Sequence, residues 1–141
     1  MKNKIILTRG IPGSGKSTWA KSWAKEDSEY RIRISWDDMR RMFGSYWVPS
    51  REEFIKESTR MILMKAASLK YDIVVDNMNL SESSKSLFVE FANIYGYEIE
   101  YKDFKTPLEE CLLRNSWRKG DECIDEKVIT EIYNKNLWFY K

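Results

Sequence analysis

The sequence has no histidine, and its 141 residues include only two cysteines, three prolines and six glycines. Without an imidazole, a general base working near neutral pH has to be a carboxylate, a lysine or water. Cys111 and Cys123 lack metal-ligand spacing, and in a cytoplasmic chain two such thiols are expected to stay free. A dominant charge sign is lacking too. Twenty-four basic residues against 22 acidic ones leave a net charge of +2, so there is no global basic field, and a polyanion must be held by local Arg and Lys groups. No apolar run is long enough to cross a bilayer, and Met1-Lys2-Asn3-Lys4 leads straight into an apolar stretch with no room for a signal peptide. A cytoplasmic protein with no membrane partner is expected. Repeats, low-complexity tracts and linkers are absent, and the length suits one domain over residues 1–141.

What is present is concentrated near the start. Gly10-Ile11-Pro12-Gly13-Ser14-Gly15-Lys16-Ser17 follows the apolar run Ile5-Ile6-Leu7 and precedes Thr18-Trp19-Ala20. This is the G-x-x-x-x-G-K-[ST] pattern between a strand and a helix. The glycines let consecutive backbone N–H groups turn inward on one anion, and the helix from Ser17 adds its unsatisfied donors and dipole. Lys16 is then expected to reach the β- and γ-phosphates of a nucleoside triphosphate, and the Ser17 hydroxyl to reach Mg²⁺.

Further along, Arg31-Ile32-Arg33-Ile34-Ser35 alternates as a strand. Asp37 follows at its C-terminal end, before a short helix at about 38–43. A long helix is expected from Ser50 to about Lys70, with Ser50 and Glu53 as a capping box. Tyr71–Val75 reads as a strand ending in Asp76. Ser81 caps a helix to Tyr95, with Leu87, Phe88, Phe91 and Ile94 on its apolar face and Gly96 as its stop. Tyr97–Phe104 is a fourth strand. Thr106-Pro107-Leu108-Glu109 reads as a second capping box with proline at the first helical position, and Asp125 starts the last helix. The order implies an α/β fold, a four-stranded parallel sheet with helices on both faces. Residues 10–17, Asp37 and Asp76 should meet on the C-terminal edge of its strands.

Several groups on that edge can do chemistry. Asp37 can orient an acceptor hydroxyl and take its proton as a P–O bond forms, and Arg40, three residues on, can hold a substrate phosphate bidentately. Asp76 ends an apolar strand as a Walker B carboxylate does; it either orders a Mg²⁺-bound water or contacts substrate. Arg114, Arg118 and Lys119 lie where a helix ends in a charged, glycine-containing break, a place for a lid around 114–124 that closes on a triphosphate. Trp36, Tyr46 and Trp47 flank Asp37 and could stack on a nucleobase or simply pack. Trp138-Phe139-Tyr140 could cover the sheet or another subunit.

Taken in order, residues 10–20, Asp37-Asp38-x-Arg40, Asp76-x-x-Asn79-Leu80 and Arg114-Asn115-Ser116-x-Arg118 resemble the kinase domain of the bacteriophage T4 polynucleotide kinase family. The resemblance implies an adenylate-kinase-like P-loop fold and ATP- and Mg²⁺-dependent phosphorylation of a 5′-hydroxyl end of DNA or RNA. It implies that Gly10, Pro12, Gly13, Ser14, Gly15, Lys16, Ser17, Thr18, Arg114 and Arg118 serve the ATP phosphates, with Ser17 on the metal. Asp37 would be the general base, Arg40 would hold the phosphate on the 3′ side of the acceptor, and Asp76 would fall near the acceptor. The family's phosphatase motif Asp-x-Asp-Gly-Thr has no counterpart, so 3′-end processing is not expected. Trp36 stands where the family carries a basic residue, and the match is poor over residues 45–57 and beyond Lys119. A phage-borne chain would work in the host-cell cytoplasm. The same motifs leave room for a small-molecule or nucleotide kinase of this fold, or for an ATP-dependent nucleic-acid-binding module without transfer chemistry.

Overall fold

The computed structural model describes residues 2–141. Four strands, β1 (Lys4–Arg9), β2 (Arg31–Ile34), β3 (Asp72–Val75) and β4 (Glu98–Asp103), form one sheet in the order β2-β3-β1-β4, and every pairing is parallel. Ile5 lies opposite Ile73 and Leu7 opposite Val75, so the two central strands stay in step along their apolar residues.

Period-two alternation gives the sheet two apolar faces. Ile5, Leu7, Ile34, Ile73 and Val75 point to one side. There they pack under α2 (Trp36–Met42), α3 (Glu52–Ser68) and α4 (Glu82–Tyr95), through Met39, Ile55, Leu63, Phe88 and Phe91. Ile6 and Val74 point to the other side, against Ala20 and Trp23 of α1 (Lys16–Glu26). Beyond the C-terminal edge of the sheet, α5 (Leu108–Ser116) and α6 (Glu126–Lys135) enclose a third cluster of Ile11, Leu80, Cys111, Ile129 and Phe139. Phe139, in the short turn Leu137–Tyr140, is thus buried beside Ile11 of the glycine loop. The expected α/β fold is present, with the four strands and the helices on both faces. No helix among the described residues is long and apolar enough to cross a membrane.

Helix ends show where tertiary partners override local signals. Ser81 and Ser84 form a reciprocal capping box, Asp125 caps α6 through the Lys127 N–H, and Gly96 ends α4 at φ 71°. The Ser50–Glu53 box does not form. Pro49–Arg51 makes a 3₁₀ turn, α3 begins at Glu52 without a side-chain cap, and Arg51 donates instead to the Phe43 carbonyl at 2.7 Å. The Thr106–Glu109 box is absent as well: Pro107 is the capping residue rather than the first helical one, and the Thr106 hydroxyl donates to the Ser14 carbonyl at 2.8 Å. Ile94, two turns beyond Leu87, lies at the margin of the stripe of Leu87, Phe88, Phe91 and Ala92 and is exposed rather than part of it.

Candidate active site

The glycine loop leaves β1 and enters α1, and its shape depends on absent side chains. At Gly13 (φ +84°) an added Cβ would come within 2.7 Å of the Cys111 carbonyl oxygen on α5, and Gly15 caps α1 at φ +103°. Both need the left-handed region that glycine enters freely. Neighbouring segments brace the loop. Gly10 N–H donates to the Met78 carbonyl, Thr106 holds Ser14, and Arg114 Nη1 donates to the Gly13 carbonyl at 3.2 Å. Arg114 also pairs with Glu110 at 2.6 Å, so it belongs to the loop's scaffold and not to a free lid. Asn79, held at φ 49°, donates from Nδ2 to the Thr8 carbonyl at 2.8 Å and ties the segment after β3 to the end of β1.

Lys16 is folded back into this cradle. Its Nζ donates to the Ile11 carbonyl at 2.8 Å and the Ser14 hydroxyl at 3.4 Å. Burial pushes the amine down to about 8, opposed by the fields of Asp76 and Asp37 and assisted by that of Arg118. The residues expected to form one site therefore lie close enough to act on one amine. Ser17 and Thr18 present exposed hydroxyls at the start of α1. A loop of inward backbone, a buried ammonium held only by the loop's own oxygens, and a hydroxyl on the first helical turn suit a polyphosphate with a hard cation.

Asp76 ends β3, the strand between those carrying the glycine loop and Asp37. Its carboxylate is buried; Oδ2 accepts from Arg33 Nε at 2.8 Å and lies in ion-pair contact with Nη2 at 2.6 Å. Arg33 Nη1 also donates to Asp38 at 2.6 Å. Ser35 caps α2 by accepting from the Asp38 N–H, and the Asp38 carboxylate belongs to Arg33. Arg33 was missed because it reads as one polar position in an alternating strand.

Asp37 lies inside the first turn of α2, not before it. Arg40 Nη1 and the Tyr46 hydroxyl both donate to its Oδ1 at 2.8 Å, and neither uses Oδ2. Arg40 in turn grips Glu52 with Nε at 2.9 Å and Nη2 at 2.6 Å. Of the five guanidinium N–H groups, three are used and two remain, one on each terminal nitrogen, which is the number a bidentate phosphate contact needs. Glu52 was not singled out; it sits twelve residues away with no local signal. Hydrogen bonding to Arg40 holds its carboxyl below the ordinary range, while burial and Asp37 raise the Tyr46 hydroxyl so that it stays a donor.

The aromatic trio separates. Trp36 is not available for stacking: Nε1 donates to Thr59 at 2.9 Å and the ring packs on Phe88, at 5.4 Å between centroids. Tyr46 is bound to Asp37. Trp47 remains exposed. In the break after α5, Arg118 and Lys119 are exposed. Asn115 clamps the two ends of that break, donating to the Ile124 carbonyl at 2.6 Å and accepting from Ile124 N–H at 2.9 Å. Arg41 on α2 reaches Asp121 in the break at 2.8 Å.

The chain is 30% identical over 133 residues to an L-seryl-tRNA(Sec) kinase of Methanococcus maripaludis, covering 93% of this chain and 51% of the relative. It is 26% identical over 146 residues to a candidate bifunctional polynucleotide kinase/RNA ligase of Autographa californica nuclear polyhedrosis virus, covering 95% of this chain and 21% of that one. A chain from the structure of the Pnkp1/Rnl/Hen1 RNA repair complex superimposes with a TM-score of 0.84 at 24% identity, covering 98% of this chain and 45% of its own length. This chain thus spans about half of the first of these proteins and less of the other two. The fold is that of a P-loop kinase. Residues 5–135 match the AAA domain family AAA_33, and the chain belongs to that family.

Proposed function

We propose that this chain transfers the γ-phosphate of ATP to the 5′-hydroxyl end of a nucleic acid. The observation that carries the reading is Asp37: Oδ1 is fixed by two donors, Oδ2 is left for a substrate proton, and the carboxylate lies close enough for its field to act on Lys16 of the phosphate loop. The acceptor oxygen bonds to Pγ and the bond from Pγ to the β,γ-bridging oxygen breaks. ADP leaves with that electron pair, and the hydroxyl proton passes to Asp37 Oδ2. In a loose transition state the proton leaves late, so an ordinary carboxylate suffices.

Lys16 leaves the Ile11 carbonyl for the phosphates, and the loop amides and the α1 N-terminus hold the rest. Ser17 would hold Mg²⁺, which would supply charge neutralisation at the phosphates. Arg40 offers its two remaining N–H groups to the phosphate on the acceptor's 3′ side, with Glu52 fixing the guanidinium. Arg118 swings in from the lid after Ser116. Asp76, committed to Arg33, supports the acceptor side rather than the metal. One kinase domain without phosphatase chemistry accounts for these residues. The polynucleotide kinase relatives support a nucleic-acid acceptor, while the seryl-tRNA kinase supports a second reading in which the acceptor is the hydroxyl of a seryl group on tRNA.

Labelled ATP offered with 5′-OH DNA, 5′-OH RNA, free nucleosides and seryl-tRNA separates the two. Label at the 5′ end of an oligonucleotide is the expected result. Label only on seryl-tRNA or only on small acceptors overturns the polynucleotide reading, and hydrolysis with no acceptor labelled overturns transfer.

A further inference from the structure

We propose that Trp47 is the platform on which the base of the acceptor's 5′-terminal nucleotide stacks; this rests on the polynucleotide reading above. Trp47 lies in the turn between α2 and α3. Gly44 opens that turn at φ +123°, and at its far end Arg51 N–H donates to the Val48 carbonyl at 2.8 Å and Arg51 Nη1 to the Phe43 carbonyl at 2.7 Å. The turn is pinned at both ends, yet Trp47 is 61% exposed. An indole so open to water contributes little to the core, and the Arg40 guanidinium carbon lies over it, 5.9 Å from the ring centroid.

That neighbour is what gives the exposed ring a use. Arg40 also contacts Asp37 and sits 5.8 Å from the Tyr46 ring. A proton acceptor, a phosphate-holding fork and a flat apolar surface are therefore adjacent within one loop and one helix. The three parts of a 5′-terminal nucleotide, its hydroxyl, its 3′-side phosphate and its base, call for these three features side by side, and Arg40 is the neighbour of the other two. Trp36 and Tyr46 are less open: both are half-buried, the Trp36 ring packs on Phe88, and the Arg41 guanidinium lies 4.9 Å from the Tyr46 ring. A platform reads no base edge, so it accepts any base that is free to leave its neighbour. The acceptor is thus a single-stranded or frayed end, and a base-paired blunt end is a poorer one because unstacking is charged against binding.

The test compares wild type, Trp47→Ala and Trp47→Phe on a single-stranded 5′-OH oligonucleotide and on the same strand with an abasic 5′-terminal nucleotide. Stacking on an aromatic ring corresponds to roughly a 5–100-fold effect. Trp47→Ala should raise KM for the normal strand by about that factor with much less change in kcat, and Trp47→Phe should recover most of it. Wild type should lose the same factor on the abasic strand, where Trp47→Ala loses nothing more. A 2-aminopurine at the 5′ end should be quenched on binding to wild type and not to Trp47→Ala. Equal losses by Trp47→Ala on both strands, or a wild type indifferent to the missing base, overturn the proposal while leaving the kinase reading intact. If wild type labels no oligonucleotide at all, the kinase reading itself fails, and that is visible before any variant is compared.

Discussion

Lys16 should give phosphate binding a pH signature that a surface lysine would not. Burial takes its amine from 10.5 to about 8, and at about 1.4 kcal/mol per unit the charged form costs the free protein about 3 kcal/mol. The unfolded chain keeps this proton up to the ordinary lysine value, whereas the folded chain releases it near 8. Between those values the unfolded state binds more protons, so stability rises with pH in that window and is unaffected by this group below it. A bound triphosphate replaces the Ile11 carbonyl with anionic oxygen, so the complex retains the proton. ATP affinity should therefore be level below about pH 8 and weaken by up to about tenfold per pH unit above it. Calorimetric titration with ATP between about pH 7 and about pH 9.5, in buffers of different ionisation enthalpy, reads both the affinity and the proton taken up. Lys16→Arg carries a group that stays charged throughout, so its profile should be flat whatever its affinity. A wild-type affinity level to the top of the range, or the same slope in Lys16→Arg, refutes the reasoning.

Asp37→Asn keeps shape and the bonds to Oδ1 but cannot take a proton; single-turnover transfer should fall roughly 10²–10⁴-fold with ATP affinity retained. Arg118→Ala should slow transfer strongly, while Lys119→Ala should show a mild, salt-sensitive rise in acceptor KM; equal small effects would reduce the segment to solvated charge. Glu52→Gln should lower kcat/KM for the acceptor by about tenfold through a loosened Arg40. Because the Glu52 carboxyl is held below its ordinary range by Arg40, its stabilisation is present at neutral pH and lost as pH falls through that lowered value, so the thermal stabilities of Glu52→Gln and wild type should converge in acid.

The phosphate loop was legible because its requirements are local: glycines at fixed offsets, then Lys16 and Ser17 on the next helical turn. Asp37 and Arg40 were legible for the same reason, being one helical turn apart. What holds them was not. Arg33 meets Asp76 across 43 residues, Arg41 meets Asp121 across 80, and Arg40 meets Glu52 through a loop, and no periodicity announces any of these pairs. The two failed capping boxes teach the converse. Ser50 and Thr106 stand in sound local patterns, but the loop before α3 is held by Arg51, and the Thr106 hydroxyl finds a better-placed acceptor at Ser14. A net gain of about 1 kcal/mol for a cap is too small to outweigh such a tertiary partner. For Trp36 the sequence left stacking and packing open, and only the structure decides for packing, because the inward side of α2 at that position faces Phe88.

The acids around the phosphate loop raise a physical problem that the unforeseen arginines solve. Asp76, Asp37 and Asp38 lie at the edge where a polyanion would bind, and each unpaired carboxylate would repel it. Asp76 is the hardest case, because its side chain is 1% exposed and water cannot screen it. An uncompensated buried charge costs several kcal/mol, and the group would take up a proton instead. Arg33 removes that cost by meeting Asp76 and Asp38 with one guanidinium, and Arg40 does the same for Asp37 and Glu52. Each arginine also joins two elements, β2 with the end of β3 and with α2, and α2 with α3. Charge balance and positioning are thus one arrangement. The carboxylate that would accept a proton is held and aimed by the same cation that offsets its charge beside the phosphates. Lys16 and Arg118 have no carboxylate partner among the described residues, and the field of Arg118 already acts on Lys16, so both are placed to meet an incoming triphosphate.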